Sequence, residues 1–116
     1  MNDVQDIEVQ LRTLNGACVL KPVGDIDLSH APSLRTHLTQ ALRGRPSRLI
    51  VDLEEVPYMD SSGVATFVEA MQRARRGETQ LILCNLQERV RSIFEIARLD
   101  MVFKLVGSVD EALALT

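Results

Sequence analysis

A chain of 116 residues is long enough for one hydrophobic core and too short for two, so residues 1–116 read as a single domain. With 46% hydrophobic and 25% charged residues, the composition is neither disordered nor disulfide-rich. A net charge of −3 and an aromatic share of 3%, without tryptophan, argue against nucleic acid, anionic membrane surfaces and stacked sugars as ligands. A protein is left as the expected partner.

Ile7, Val9 and Leu11 alternate with polar residues, predicting a strand with one wet face, and Asn15-Gly16 offers a two-residue hairpin turn into a second strand from Ala17 to about Val23. Gly24-Asp25-Ile26-Asp27 reads as a loop, after which Ser29 is the expected cap of a helix with Pro32 in its first turn. Leu34, Leu38, Ala41 and Leu42 form that helix's apolar face, and it stops near Gly44, before Pro46.

Leu49-Ile50-Val51 is a short, β-branched apolar run, the pattern of a central strand covered on both faces. Val64, Phe67, Val68 and Met71 predict a second helix from close to Ser61 to about Arg76-Gly77. Leu81 to Cys84 repeats the buried-strand pattern, and Val90, Ile93, Phe94 and Ala97 define a third helix. A last strand is expected over Val102 to Val106, then a helix capped by Ser108 and running through Val109, Ala112 and Leu113. The order β-β-α-β-α-β-α-β-α predicts an α/β fold: a mixed, mostly parallel sheet of four to five strands with about four helices.

In open sheets of this kind, functional groups collect where strand C-terminal ends feed into helix N-termini. Two loops meet that description, Gly24 to Ser29 and Glu54 to Gly63. The second ends in Asp60-Ser61-Ser62-Gly63, which sets two hydroxyls beside a carboxylate at a helix start. An exposed serine there is reachable by a kinase, and the orphan amides and positive dipole end accommodate a phosphate. Phosphorylation adds roughly 1.5 to 2 negative charges beside Asp60, enough to expel a partner that presents a carboxylate or needs a close apolar fit. For the four residues alone, plain helix capping by Ser61 and Ser62 competes with this reading.

The strand, the loop and Asp60-Ser61-Ser62-Gly63, together with Gly24-Asp25-Ile26-Asp27, resemble the STAS domains of bacterial anti-sigma-factor antagonists, and the resemblance covers nearly the whole chain. It implies the STAS fold and phosphorylation of Ser61. The implied partner is an anti-sigma factor with ATP-dependent serine kinase activity, bound by the unphosphorylated form and released by the phosphorylated one. A metal-dependent serine phosphatase would reset the switch. The chain itself would bind no cofactor or metal, perform no catalysis, and regulate transcription through a sigma factor. Asp25, Asp27, Asp60, Ser62 and Gly63 are the expected partner-binding residues: Asp60 orients the hydroxyl or meets the kinase, Ser62 shares the capping role or is a minor phosphate acceptor, and Gly63 permits close approach of the partner, while Asp25 and Asp27 also read as solvated turn residues before the Ser29 cap.

Many members continue Gly-Leu-Gly after the serines, whereas this chain reads Gly63-Val64-Ala65, so the Ala65 methyl would narrow the set of partners. The same resemblance is compatible with two other roles, a regulatory subunit of a membrane transport system and a scaffold subunit of a stress-signalling assembly. A monomer is the simplest expected state.

Cys18 and Cys84 lie inside apolar runs, as buried inert thiols do, and the acidic N-terminal residues lack a signal-peptide pattern; both point to the cytoplasm, without membrane insertion. Arg73, Arg75 and Arg76 complement a helix C-terminus. Met59, Met71 and Met101 read as core filler. His30 and His37 stand seven apart on one helix, Ser61 lacks a Gly-x-Ser-x-Gly elbow, and no Walker-type loop is present, so hydrolase, metal and nucleotide chemistry have no support.

Overall fold

A computed structural model describes residues 5–115. Strands β1 (Glu8–Leu14) and β2 (Ala17–Val23) form an antiparallel hairpin. Its turn residues Asn15 and Gly16 both have positive φ, 49° and 81°, as a twist-compatible two-residue turn requires. Such a turn makes Leu14 and Ala17 a hydrogen-bonded pair, and bonding then alternates along the ladder. Val9 opposite Pro22 is therefore a non-bonded pair, a position that tolerates a residue without an N–H.

Helix α1 (Ala31–Arg43) leads to β3 (Arg48–Asp52), α2 (Ser61–Arg76), β4 (Gln80–Cys84), α3 (Glu88–Ile96), a 3₁₀ turn (Leu99–Met101), β5 (Lys104–Val106) and α4 (Val109–Ala114). The sheet runs in sequence order, with β1 antiparallel and β2 to β5 mutually parallel. The expected α/β architecture, with five strands and four helices, is present, and β3 is its central strand.

Side chains on one strand alternate between faces. Leu49 and Val51 consequently join Leu20, Leu81 and Leu83 beneath α1, α2 and α3, where Leu34, Leu38, Phe67, Ala70 and Phe94 complete the main core. Ile50 points the other way, to Val19, Ile82, Cys84 and Ala112 beneath α4. Each fully buried aliphatic side chain stabilises the fold by about 1.5–3 kcal/mol relative to exposure. Phe94 packs edge-on against Phe103 with ring centroids 5.4 Å apart. The Arg48 guanidinium donates to the carbonyls of Ala112, Leu113 and Leu115, tying the end of α4 to the central strand.

Several local expectations change. The last strand is shorter than Val102 to Val106, because Leu99–Met101 forms a 3₁₀ turn and Phe103 is drawn into the core ahead of the strand. Helix α3 stops at Ile96, leaving Ala97 exposed. Met59 is buried and Met71 packs at the core's edge, but Met101 is 85% exposed on the 3₁₀ turn rather than a core filler. Leu11 is 59% exposed despite its apolar alternation, since it lies on the edge strand. Cys84 is buried and Cys18 partly so, both as free thiols.

Candidate functional site: the paired loops at the start of α2

The two loops singled out by the sequence meet along their length. Gly24 N–H donates to the Glu55 carbonyl at 2.9 Å, Ile26 N–H to the Tyr58 carbonyl at 2.9 Å, and Asp60 N–H to the Ile26 carbonyl at 3.2 Å. Ile26 and Met59 form an isolated parallel bridge, with both side chains in the core. This short extension of the sheet is anchored by apolar burial, so polar residues between the anchors are left at the surface. Gly24 adopts φ 107°, which favours glycine where the chain leaves β2.

The second loop is also held from its other side. Asp52, buried at the end of β3, accepts from the Glu54 amide at 3.1 Å and from Asn85 Nδ2 at 3.0 Å, while Gln87 Nε2 donates to the Glu54 carbonyl at 2.8 Å. Lys21 Nζ lies 3.3 Å from the Glu55 carboxylate, whose hydrogen bond raises the lysine pKa.

Helix α1 is entered differently from the expectation. Ser29 is not its cap: His30 occupies that position without a side-chain capping bond. Asp27 supplies the acceptor instead. Its Oδ1 takes hydrogen bonds from Ser29 N–H at 3.0 Å, Ser29 Oγ at 2.7 Å and His30 N–H at 3.1 Å, and lies 3.0 Å from His30 Nδ1. The Ser29 hydroxyl is the chief cause holding the Asp27 carboxyl below its ordinary value. Asp27 thus has a structural task as well as a surface position, whereas Asp25 is exposed and makes no side-chain hydrogen bond among the described residues.

At the start of α2, Asp60 is the cap. Its carboxylate accepts from the Ser62 amide at 2.9 Å and from the Ser62 hydroxyl. The expectation that Asp60 orients the Ser61 hydroxyl is corrected: it orients Ser62. Ser61, the first residue of the helix, is exposed, and its hydroxyl has no hydrogen-bond partner among the described residues.

The amides of Gly63 and Val64 both bond to the Asp60 carbonyl. A phosphoryl group on Ser61 would therefore meet a helix start already occupied by a carboxylate, instead of a set of orphan amides.

Gly63 is buried, and a Cβ placed there would lie 2.6 Å from Met59 Cγ, 2.7 Å from Ile26 Cγ2 and 3.1 Å from the Ile26 carbonyl oxygen. The close approach it permits is that of its own chain, not of a partner, which corrects the sequence reading. Ala65 is exposed one turn beyond Ser61 and on the same side of α2. Leu28, 75% exposed, and Tyr58, 40% exposed, add apolar surface to the two loops. Sequence reasoning gave neither a role, although a large apolar residue isolated in a polar loop was the available signal.

Among the other residues considered, His30 is engaged by Asp27 and His37 is partly buried on α1. Arg73 pairs with Glu69 at 3.4 Å, and Glu69 also receives Arg35 from α1 at 2.7 Å. Arg35 thereby links α1 to α2, while Arg73, Arg75 and Arg76 lie in the last turn of α2. Among the described residues no helix is long and apolar enough to cross a membrane.

The sheet runs in sequence order, an exposed serine opens the helix after its central strand, and a second loop is zipped beside it. Residues 8–112 match the STAS domain, and the chain belongs to that family. It is 34% identical over 82 residues to a protein of Listeria monocytogenes named anti-sigma-B factor antagonist, spanning 71% of this chain and 72% of that one. Among solved structures, an anti-sigma factor antagonist from Mycobacterium paratuberculosis superposes with a TM-score of 0.85 at 22% identity, covering 93% of this chain and 92% of the other. The Bacillus cell fate determinant SpoIIAA in its phosphorylated form gives 0.69 at 23% identity, covering 91% and 96%.

Proposed function

We propose that this chain is an anti-sigma-factor antagonist whose hold on an anti-sigma factor is switched by phosphorylation of Ser61. The observation that carries the proposal is the exposed Ser61 hydroxyl, without an intramolecular partner among the described residues, next to the fixed carboxylate of Asp60. Two further points support it: the name of the Listeria relative, and the phosphorylated state in which the similarly folded Bacillus protein was solved.

In the unphosphorylated state the surface around Ser61 is small and uncharged along α2, with Ala65 one turn away and Leu28 and Tyr58 on the paired loops. A partner docks by close apolar fit there, and Asp25, Asp27 and Asp60 form an acidic rim around it. Ser62 and Gly63 act indirectly, by holding the cap and the loop pairing. Phosphorylation adds roughly 1.5 to 2 negative charges to a rim that is already negative. An acidic or tightly packed partner surface is then repelled, and the anti-sigma factor is released to bind its sigma factor.

The kinase is the anti-sigma factor itself, a separate serine phosphatase restores the free hydroxyl, and the chain acts in the cytoplasm as a binding protein rather than an enzyme. The test is capture of partners from host lysate with the wild type, Ser61→Ala and Ser61→Asp, identified by mass spectrometry. Recovery of one kinase-like anti-sigma factor by the first two and its loss with the third is expected. Retention of the same transport proteins or of one large scaffold by all three would replace this reading.

A further inference from the structure

Strand β1 is an edge of the sheet, and among the described residues it pairs only with β2. The alternation set by the two-residue turn sends the N–H and C=O groups of Val9, Leu11 and Thr13 away from β2, so a row of backbone donors and acceptors faces outward. Edge strands of this length are usually blunted by charge. Here Glu8 and Arg12 have opposite signs, stand on the same face four residues apart, are both exposed, and have no ion-pair partner among the described residues.

We propose that β1 pairs antiparallel with β1 of a second copy of this chain about a twofold axis at Gln10, joining the two sheets into one. In this register Glu8 stands opposite Arg12 of the second copy, and Arg12 opposite its Glu8, so both charges are matched twice. Val9 stands opposite Leu11 of the second copy, covering an apolar side chain that is 59% exposed in the single chain.

Neighbouring registers do worse. An axis at Leu11 lengthens the overlap but sets Glu8 opposite Leu14 and Arg12 opposite Gln10, leaving the charges unmatched. An axis at Val9 requires residues before β1, where the Ile7 N–H is already bonded to Ser33 Oγ at 3.1 Å. The charges that discourage indiscriminate edge pairing therefore select one self-pairing. The contact uses no residue of the paired loops or of α2, and it replaces the monomer expected from the sequence with a concentration-dependent dimer.

Sedimentation velocity over a range of concentrations, on the wild type, Glu8→Arg, Arg12→Glu and an equimolar mixture of the two variants, tests this. The wild type should shift from monomer to dimer as concentration rises. Each variant alone sets like charges opposite one another and should weaken association at least about tenfold. The mixture should recover it, because a Glu8→Arg copy facing an Arg12→Glu copy restores opposite signs at both positions. Far-UV circular dichroism checks that both variants are folded, and slowed exchange of the Val9 and Leu11 amides at high concentration should mark the strand. A wild type that stays monomeric throughout, variants that associate like the wild type, or a mixture that does not associate would each overturn the proposal.

Discussion

Asp60 holds Ser62 twice, through its amide at 2.9 Å and through its hydroxyl, while the adjacent Ser61 hydroxyl is left without a partner among the described residues. Asp60 therefore holds one of the two serines in place and leaves the other's hydroxyl unbound. Asp60→Ala should therefore cost about 1 kcal/mol, as loss of a helix N-cap does. Ser61→Ala should stay within about 0.5 kcal/mol of the wild type, as exposed substitutions without partners do. Urea unfolding of both variants checks the pair; equal losses would contradict the division of labour.

Gly63→Ala should be more damaging than its chemistry suggests. The added methyl overlaps Met59 and Ile26, the two residues that bridge the loops, and overpacking of this kind costs about 1–3 kcal/mol. The Met59 side chain can shift, but the Ile26 carbonyl also accepts the Asp60 amide and is fixed. Ala65→Gly, on the exposed face of the same helix, should cost only about 1 kcal/mol through helix propensity. The readouts are the unfolding midpoint and amide exchange at Ile26 and Asp60, which should accelerate in Gly63→Ala alone.

Acid should weaken the entry to α1 through Asp27. Its folded carboxyl is held below the ordinary value of 3.8, chiefly by the Ser29 hydroxyl, so the unfolded chain takes up the proton first as pH falls. The stabilisation is fully present above about 3.8 and disappears as pH drops through the lower folded value. The stability difference between wild type and Asp27→Asn should shrink as pH falls below about 4. Urea titrations at stepped pH measure it.

The Cys84 thiol should resist alkylation in the folded protein. Burial first, and the neighbouring Asp52 charge second, push its pKa up to about 12, so thiolate is scarce at neutral pH. Cys18 is raised by burial as well. Thiol labelling near pH 8 should be slow for both cysteines until denaturant is added, with Cys18 the faster of the two.

The fold was legible because its signals are local and agree with one another. Leu49-Ile50-Val51 reads as a doubly covered strand, and its alternate residues do divide between two cores. Asn15-Gly16 reads as a hairpin turn and adopts one. The errors fall where a side-chain contact outweighs the preference read from a single residue. Ser29 has the chemistry of a cap, but Asp27 reaches both Ser29 and His30 and takes the role. Phe103 leaves the predicted strand because Phe94 offers an aromatic contact.

For the candidate site, chain position marked both loops and Ser61. The loop pairing was not legible, because Ile26 and Met59 are an apolar pair far apart in sequence with no periodic pattern around them. The division between Ser61 and Ser62 was equally hidden, since either serine could have met Asp60 until the backbone direction at the helix start was known.

The most direct test of the central claim is the affinity of the anti-sigma factor recovered in the capture experiment for two forms of this chain, unmodified and phosphorylated on Ser61. The expected result is a complex of the unmodified chain that weakens about a hundredfold on phosphorylation, the scale of introducing an unmatched charge at a close interface. Equal affinity of the two forms would contradict the switch.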